Sequence, residues 1–324
     1  PPPPPPPPPP LFFSTPPTAP PILSGLVGSE MCIRDSVGLD CFLGNYDRQL
    51  KEGHLARLVG ETRFELIEAG ILDADLRSLL EGVDRVFHLA ALPGVRSSWG
   101  QTFADYLTHN VMSTQVLLEA CKSARTQRFT YASSSSVYGE TSGLPMREDS
   151  ATSPYSPYGV TKLAAENLVR LYHRNFDLPT VCVRYFTVYG PRQRPDMAIQ
   201  RFLQAGLDGT PIRVFGDGKQ SRDFTYVGDI VDGTYCAAVT GQLGGVYNIG
   251  GGSCVTLNEL IALIEAVSGV HLRVEPEEAK PGDVRSTKAD CGLAKAALDF
   301  TPKTSLENGI AKHWESLASG EFGF

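Results

Sequence analysis

The 324-residue chain lacks any run of about 18 apolar residues, so a membrane-spanning helix is not expected. It also lacks a CxxC pair: its cysteines, at positions 32, 41, 121, 182, 236, 254 and 291, are odd in number and widely spaced. That pattern excludes a zinc ribbon and a disulfide framework, and fits reduced thiols in a cytoplasmic protein. His54, His109, His173, His271 and His313 show no ligand spacing, so no metal is expected; His88, inside a strand motif, reads as structural. Positive charge is scarce too. With 29 Lys and Arg against 36 Asp and Glu, the net charge of −7 argues against a nucleic-acid or anionic-membrane binder, while leaving room for a local basic pocket. What is present is a soluble globular composition, 42% hydrophobic and 20% charged, on a chain long enough to bury a full core.

Residues 1–36 stand apart. Ten consecutive prolines open the chain, followed by Leu11-Phe-Phe-Ser-Thr-Pro-Pro-Thr-Ala-Pro-Pro21. Proline fixes φ and donates no backbone hydrogen bond, so the tract reads as polyproline II or disorder. Three origins are open: a ligand for an SH3-type module, a damaged signal peptide, or a non-native fusion. The string Ser29-Glu-Met-Cys-Ile-Arg-Asp-Ser36 resembles translated sequencing-adapter sequence, which favours the third and removes the segment from fold reasoning.

From Val37 onward short apolar runs alternate with helical spacing. Strands are expected at Val37–Phe42, Phe64–Ile67, Arg85–Ala91, Phe129–Ala132 and Val181–Phe186, with helices through Leu76–Leu80, over 104–124 and from Lys162 to Phe176. Such alternation predicts an α/β fold, a Rossmann-like doubly wound parallel sheet covered on both faces. Ligands of such sheets bind beyond the carboxyl ends of the strands, where Asp40, His88, Ser134 and Thr187 fall. After about residue 190, glycine clusters break the pattern, with a helix expected at Leu257–Ser268 and a strand at Leu272–Val274. The division expected is 1–36 outside the fold, 37–190 a nucleotide-binding domain, and 191–324 mainly a smaller substrate-binding lobe.

Tyr158 and Lys162, four apart, share one face of a helix. An ammonium beside a phenol favours the phenolate; lowering a tyrosine from about 10 to about 7 takes roughly 4 kcal/mol. The four-serine run Ser133–Ser136, past a predicted strand, offers a hydroxyl to a reacting oxygen. Taken singly, each is as readily a solvated pair or a polar turn.

Six stretches in order carry a resemblance: Phe87-His-Leu-Ala-Ala91, Tyr131-Ala-Ser-Ser-Ser-Ser-Val-Tyr-Gly139, Pro154-Tyr-Ser-Pro-Tyr-Gly-Val-Thr-Lys162, Arg184-Tyr-Phe-Thr-Val-Tyr-Gly-Pro191, Gly216-Asp-Gly-Lys-Gln-Ser-Arg-Asp-Phe224 and Pro281-Gly-Asp-Val-Arg285. Together they resemble the extended short-chain dehydrogenase/reductases, in the NAD-dependent epimerase/dehydratase branch, and most the UDP-glucuronate 4-epimerase-like members. The resemblance covers residues 37–316 and implies NAD as cofactor, a UDP-sugar substrate and a homodimer. By it Tyr158 is the base, Lys162 holds the nicotinamide ribose, and Ser134 is the catalytic hydroxyl. Asp40 binds the adenosine ribose, where an acid favours NAD over its 2′-phosphate. Ala90 and Ala91 let the cofactor backbone pass, and Asn110 supports the site. Arg222 and Arg285 clamp the diphosphate, with Arg194 (and Arg192 beside it) as further candidates.

The residues after Ser134 choose among the family's reactions. Resembling dehydratases carry an Asp and a Glu there; Ser135 and Ser136 have no acid–base capacity near neutral pH, so elimination is disfavoured. Their hydroxyls, with Thr187, suit holding a carboxylate, which points to UDP-glucuronate/UDP-galacturonate 4-epimerisation, with UDP-glucose epimerisation or a dehydratase or decarboxylase as alternatives. A reading of another class stays open: an inert fragment or non-catalytic nucleotide binder. The first strand and its Gly-rich turn should precede Val37, yet no GxxGxxG occurs there (Gly25 and Gly28 are three apart), and Gly70 stands where the family carries an adenine-contacting acid.

Overall fold

Along Thr180–Tyr185 successive side chains enter two different cores: Cys182 packs with Phe129, Tyr131, Ala165 and Val169, whereas Val181 and Val183 pack with Ile230, Ala237, Tyr247 and Leu298. A strand apolar on both faces needs helices on both sides, and that requirement organises the molecule. The computed structural model describes residues 36–141, 143–278 and 284–320. The proline tract, Gly25, Gly28 and Pro281–Asp283 lie outside the described residues. The expectation for 1–36 meets the structure only at Ser36, which already belongs to the first strand.

The chain runs β1 (Ser36–Asp40), α1 (Arg48–Val59), β2 (Phe64–Glu68), α2 (Leu76–Leu79), β3 (Arg85–His88), α3 (Phe103–Tyr106), α4 (Ser113–Ala124), β4 (Arg128–Ser134), α5 (Pro157–Phe176) and β5 (Thr180–Tyr185). It continues β6 (Thr187–Tyr189), α6 (Ala198–Asp208), β7 (Ile212–Phe215), β8 (Ser221–Tyr226), α7 (Val227–Thr240), β9 (Val246–Ile249), β10 (Ser253–Thr256), α8 (Leu257–Ser268), β11 (Val274–Glu277), α9 (Gly292–Leu298) and α10 (Leu306–Ala318). Strands β3-β4-β5-β9 form one parallel sheet, and β1 and β2 a second parallel pair. Helices α4 and α5 cover one face of the larger sheet; α7 and α9 cover the other. The α/β, parallel, doubly wound architecture expected from the strand–helix alternation is present.

The expected division at residue 190 is crossed in both directions. Strand β6 pairs with β8 in a sheet ordered β10-β8-β6, while β9 returns to complete the parallel sheet beside β5. Helices α6, α8 and α10 with β7 and β8 share a core of their own, built from Ile199, Phe202, Leu203, Val214, Phe224, Leu260, Ile264 and Ile310.

Four predicted elements shift substantially. The strand expected at Leu272–Val274 lies instead at Val274–Glu277. Helix α5 begins five residues before Lys162, because Ser156 caps it: its hydroxyl accepts from the Gly159 N–H at 3.1 Å, and Pro157 takes the first turn where no N–H is needed. The stretch expected as one helix over 104–124 widens into an i→i+5 turn at Leu107–Met112 between α3 and α4. The strand expected over Arg85–Ala91 stops at His88.

Candidate active site

A cavity of about 1770 Å³ runs along β1 and β3 and opens beyond the carboxyl ends of β1, β3 and β4. It is lined by Asp40, Ala90, Ala91, Ser134, Ser135, Ser136, Tyr158, Lys162, Thr187, Arg194 and Arg222, residues from opposite ends of the chain. Asn110 and Arg285 are not on its wall.

Tyr158 stands at the start of α5, half-buried, its ring edge against Tyr106 with centroids 6.3 Å apart. Its backbone N–H donates to Ser98 Oγ at 3.1 Å. Burial pushes the phenol pKa up; the Ser134 hydroxyl beside it and the Arg194 charge pull against that, and Tyr106 adds to the rise. Ser134 ends β4 and its Oγ accepts from the Ser136 N–H at 3.1 Å, so the serine run turns sharply and presents three hydroxyls to the cavity.

Lys162 departs from the simple picture of an ammonium beside a phenol. Its Nζ donates to the Ala132 carbonyl at 2.7 Å and lies 5.0 Å from the centroid of the Tyr131 ring. Burial lowers its pKa to about 8, against the opposing pull of Glu166. The lysine thus shares a helical face with Tyr158 but is tied to β4 at Ala132, two residues before Ser134. Helical spacing reports a common face, not the direction of a four-carbon side chain.

Asn110 is buried in the widened turn. Its Oδ1 accepts from the Leu92 N–H at 2.6 Å, and its Nδ2 donates to the Leu92 carbonyl at 3.1 Å and to Thr161 Oγ1 at 3.0 Å. This one amide pins the loop after Ala91 to the helix residue preceding Lys162. It also accounts for β3 ending early: the backbone turns out of the sheet to meet it. His88 is buried, with Nε2 2.8 Å from Thr114 Oγ1, and burial with the nearby Lys162 charge lowers its pKa to about 3. It is a neutral packing residue, as its strand motif predicts.

At the other end, Asp40 closes β1, its Oδ1 accepting from the Phe42 N–H at 2.7 Å. Beyond β2, a side chain at Gly70 would meet the Asp73 carboxylate at 2.8 Å, and Asp73 lines the cavity. An acid therefore borders this corner although position 70 has none. Spacing alone concealed it.

The arginines divide. Arg194 lines the cavity and donates to Asp196 Oδ2 at 3.2 Å; Arg222 lines it too, its Nη1 donating to the Ser221 carbonyl at 2.8 Å. Arg285 instead forms a two-point ion pair with Asp217 at 2.8 and 2.9 Å on the exposed surface, which holds the Asp217 carboxyl well below its usual range. Its carbonyl is within 3.4 Å of Arg222 Nη1, so the two lie close together in the chain's fold while pointing to different partners. Arg192 is buried, donating to the His54 carbonyl at 3.3 Å.

Tyr106 falls within the helix expected over 104–124, where spacing marks it only as apolar, yet its hydroxyl contacts Ser97 Oγ at 2.7 Å and the Pro93 and Gly94 carbonyls at 2.9 and 3.0 Å. The motifs give Glu166 and Arg184 no role; the spacing of Glu166 four residues after Lys162 is the available signal.

A doubly wound parallel sheet, with a Ser–Tyr–Lys cluster facing a long cavity at its strand ends, defines a dinucleotide-dependent enzyme of the short-chain dehydrogenase/reductase type. The chain belongs to the NAD dependent epimerase/dehydratase family, whose model matches residues 24–250. That match begins upstream of the described residues and takes in Gly25 and Gly28. Among relatives, a Bacillus subtilis protein named as an uncharacterized UDP-glucose epimerase, YtcB, is 45% identical over 306 residues, covering 91% of this chain and 96% of its own length. A UDP-glucuronate 4-epimerase of Thermodesulfobacterium geofontis is 37% identical, covering 85% of this chain and 86% of its own. The crystal structure of UDP-glucuronic acid 4-epimerase from Bacillus cereus, in complex with UDP-glucuronic acid and NAD, superposes with a TM-score of 0.87 at 43% identity, covering 91% of this chain and 97% of that one. The family is NAD-dependent, and its epimerases are isomerases.

Proposed function

We propose that this chain interconverts UDP-glucuronate and UDP-galacturonate at C4, with NAD held in the cavity. The observation that carries the reading is the convergence of Ser134, Tyr158 and Lys162 on one wall, facing hydroxyls in place of the carboxylates an elimination needs. The residues fit NAD where they are described: Asp40 offers a carboxylate at the ribose end, and Ala90 and Ala91 keep the passage narrow in side chain but open in space. Bound NAD supplies the acceptor and donor for the C4 hydrogen.

The chain's own residues do the rest. Tyr158 takes the proton of the sugar 4-hydroxyl, and Ser134 hydrogen-bonds the same oxygen. Lys162 holds positive charge at the base of the cluster and offers its remaining donors to a ribose. Ser135, Ser136 and Thr187 hold the C5 carboxylate, which restrains loss of CO₂ from a β-keto acid, and Arg194 places a cation beside it. Arg222 anchors the diphosphate while the keto sugar turns its other face.

Incubation with UDP-glucuronate and NAD is expected to give UDP-galacturonate; a UDP-pentose, or UDP-galactose formed from UDP-glucose but no uronate product, overturns the assignment. UDP-glucose epimerisation is the second reading, favoured by the YtcB relative, which is named as an uncharacterized UDP-glucose epimerase.

We further propose a cytoplasmic homodimer. Trp99, Leu107, Tyr155 and Val160 expose apolar surface around the start of α5 and the turn before α4. Light scattering is expected to give twice the chain mass, and Val160→Asp to give the monomer. Free thiols at Cys121 and Cys182, both buried, suit a reducing compartment.

A further inference from the structure

Behind the catalytic wall lies a buried cluster that the chemistry above does not use. Glu166 is fully buried one helical turn after Lys162. Its Oε1 accepts from Arg184 Nη2 at 2.6 Å, and its Oε2 accepts from Arg184 Nε at 3.0 Å and from Ser133 Oγ at 2.6 Å. Ser133 and Arg184 are themselves cross-strand partners on β4 and β5, one residue below the Ser134–Tyr185 pair. Arg184 also donates to the Glu148 carbonyl at 3.3 Å and lies over the Tyr138 ring at 4.7 Å. Helix α5 is thus fastened to β4 at two successive turns, Lys162 to Ala132 and Glu166 to Ser133.

We propose that Glu166, clamped by Arg184, is a positioning residue for the reaction. It holds the Lys162 turn of α5 and the Ser133–Ser134 end of β4 in a fixed mutual placement, so that Tyr158, Ser134 and Lys162 stay in register.

Stability alone is a weak reason for such a cluster. A buried ion pair gains little over apolar residues of the same volume, because desolvation offsets the Coulomb attraction. What it does supply is direction: a two-point guanidinium–carboxylate contact fixes both groups in a plane, and Ser133 takes the remaining lone pair. The electrostatics agree. Of the groups near Lys162, His88 on β3 is neutral and Tyr131 on β4 offers a ring face; Thr161 beside it and Thr114 against His88 are uncharged. Tyr158 and Glu166 lie on its own helix, and Arg184 reaches in from β5 to meet Glu166. The Glu166 carboxylate is the charge that pulls the Lys162 ammonium back toward protonation against burial.

The inference rests on reading Tyr158 and Lys162 as the reacting pair, so the test has one readout that needs turnover and one that does not. In the full chain, Glu166→Gln is expected to lower kcat by roughly 10- to 100-fold with KM for UDP-glucuronate within about threefold, the cost of a misplaced constellation. Carbamylation of Lys162 by cyanate, followed across pH by peptide mass spectrometry, reads its protonation directly. Its midpoint is expected to fall by about one pH unit in Glu166→Gln. The double variant Glu166→Leu/Arg184→Met separates positioning from folding: it should recover the melting temperature lost in the single variant but not kcat or the lysine midpoint. Wild-type kcat and an unshifted lysine midpoint in the double variant overturn the proposal. Should the Glu166 variants not fold, Ser133→Ala removes one hydrogen bond from the same clamp. It is expected to lower kcat about fivefold at unchanged KM, about the worth of one buried hydrogen bond, and unchanged kcat there is equally fatal. A wild-type chain without epimerase activity overturns the functional reading, whereas an active wild type whose Glu166 and Ser133 variants keep full kcat overturns the positioning claim alone.

Discussion

A phenol whose pKa is raised stays protonated at neutral pH, so Tyr158 begins at a disadvantage as a base that its neighbours only partly offset. Burial raises its pKa, while Ser134 and Arg194 pull it down. Removing the hydroxyl should therefore be severe and specific: Tyr158→Phe is expected to cut kcat by about 10³-fold, within the range of lost general acid–base catalysis, with little change in substrate KM. A second expectation concerns pH. Lys162, lowered by burial to about 8, is an ammonium below that value and neutral above it. If its charge assists Tyr158, kcat falls as pH rises through about 8, and a rate profile that stays flat to pH 9.5 would remove the ammonium from the mechanism. The identities of these residues were legible in the sequence, since short motifs name side chains well. Their partners were not. The Lys162–Ala132 and Asn110–Leu92 bonds join positions far apart in the chain, and no local pattern encodes them.

At the scale of elements, α5 organises the catalytic wall, and its first turn must approach the serine run very closely. A Cβ at Gly159 would lie 2.6 Å from the Ser136 carbonyl oxygen and 3.1 Å from Pro154 Cβ. Backbone cannot yield as a flexible side chain does, so Gly159→Ala forces helix and turn apart. The expected cost is about 1–3 kcal/mol in unfolding free energy, typical of overpacking, together with a loss of kcat beyond what the melting temperature alone explains. Asn167→Ala, exposed on the same helix, is the control and should leave both unchanged. The sequence showed that a helix runs to Phe176 but not that it starts at Pro157, because the Ser156 cap was read as part of a motif and not as a helix signal. The widened turn at Leu107–Met112 was invisible for a different reason: apolar spacing survives one extra residue per turn with little change in periodicity.

At the scale of the whole molecule, three histidines are buried in separate cores and held neutral. Burial lowers His88 and His313 to about 3, and lowers His54 to about 4 with the help of the neighbouring Arg192 charge. In the unfolded chain each takes up a proton near pH 6.5. The folded state therefore binds fewer protons than the unfolded state between those limits. Stability is full above about 6.5, falls as pH drops below it, and levels off only near the folded values, at about 1 kcal/mol per histidine for the first unit. Asp223 and Glu148 act oppositely: burial raises both, so the folded state takes up their protons first and gains stability as pH falls through the raised values toward the ordinary carboxylate range. With three histidines opposing them from about 6.5 downward, the melting temperature should fall measurably between pH 7.5 and 5.5. His313 Nε2 donates to Gln200 Oε1 at 2.7 Å, so a glutamine in its place keeps a polar partner without the titration. His313→Gln is expected to remove about a third of the early acid slope, one histidine in three contributing equally. A slope unchanged by that substitution would show that His313 does not contribute and that the three cores do not share the acid sensitivity in this way.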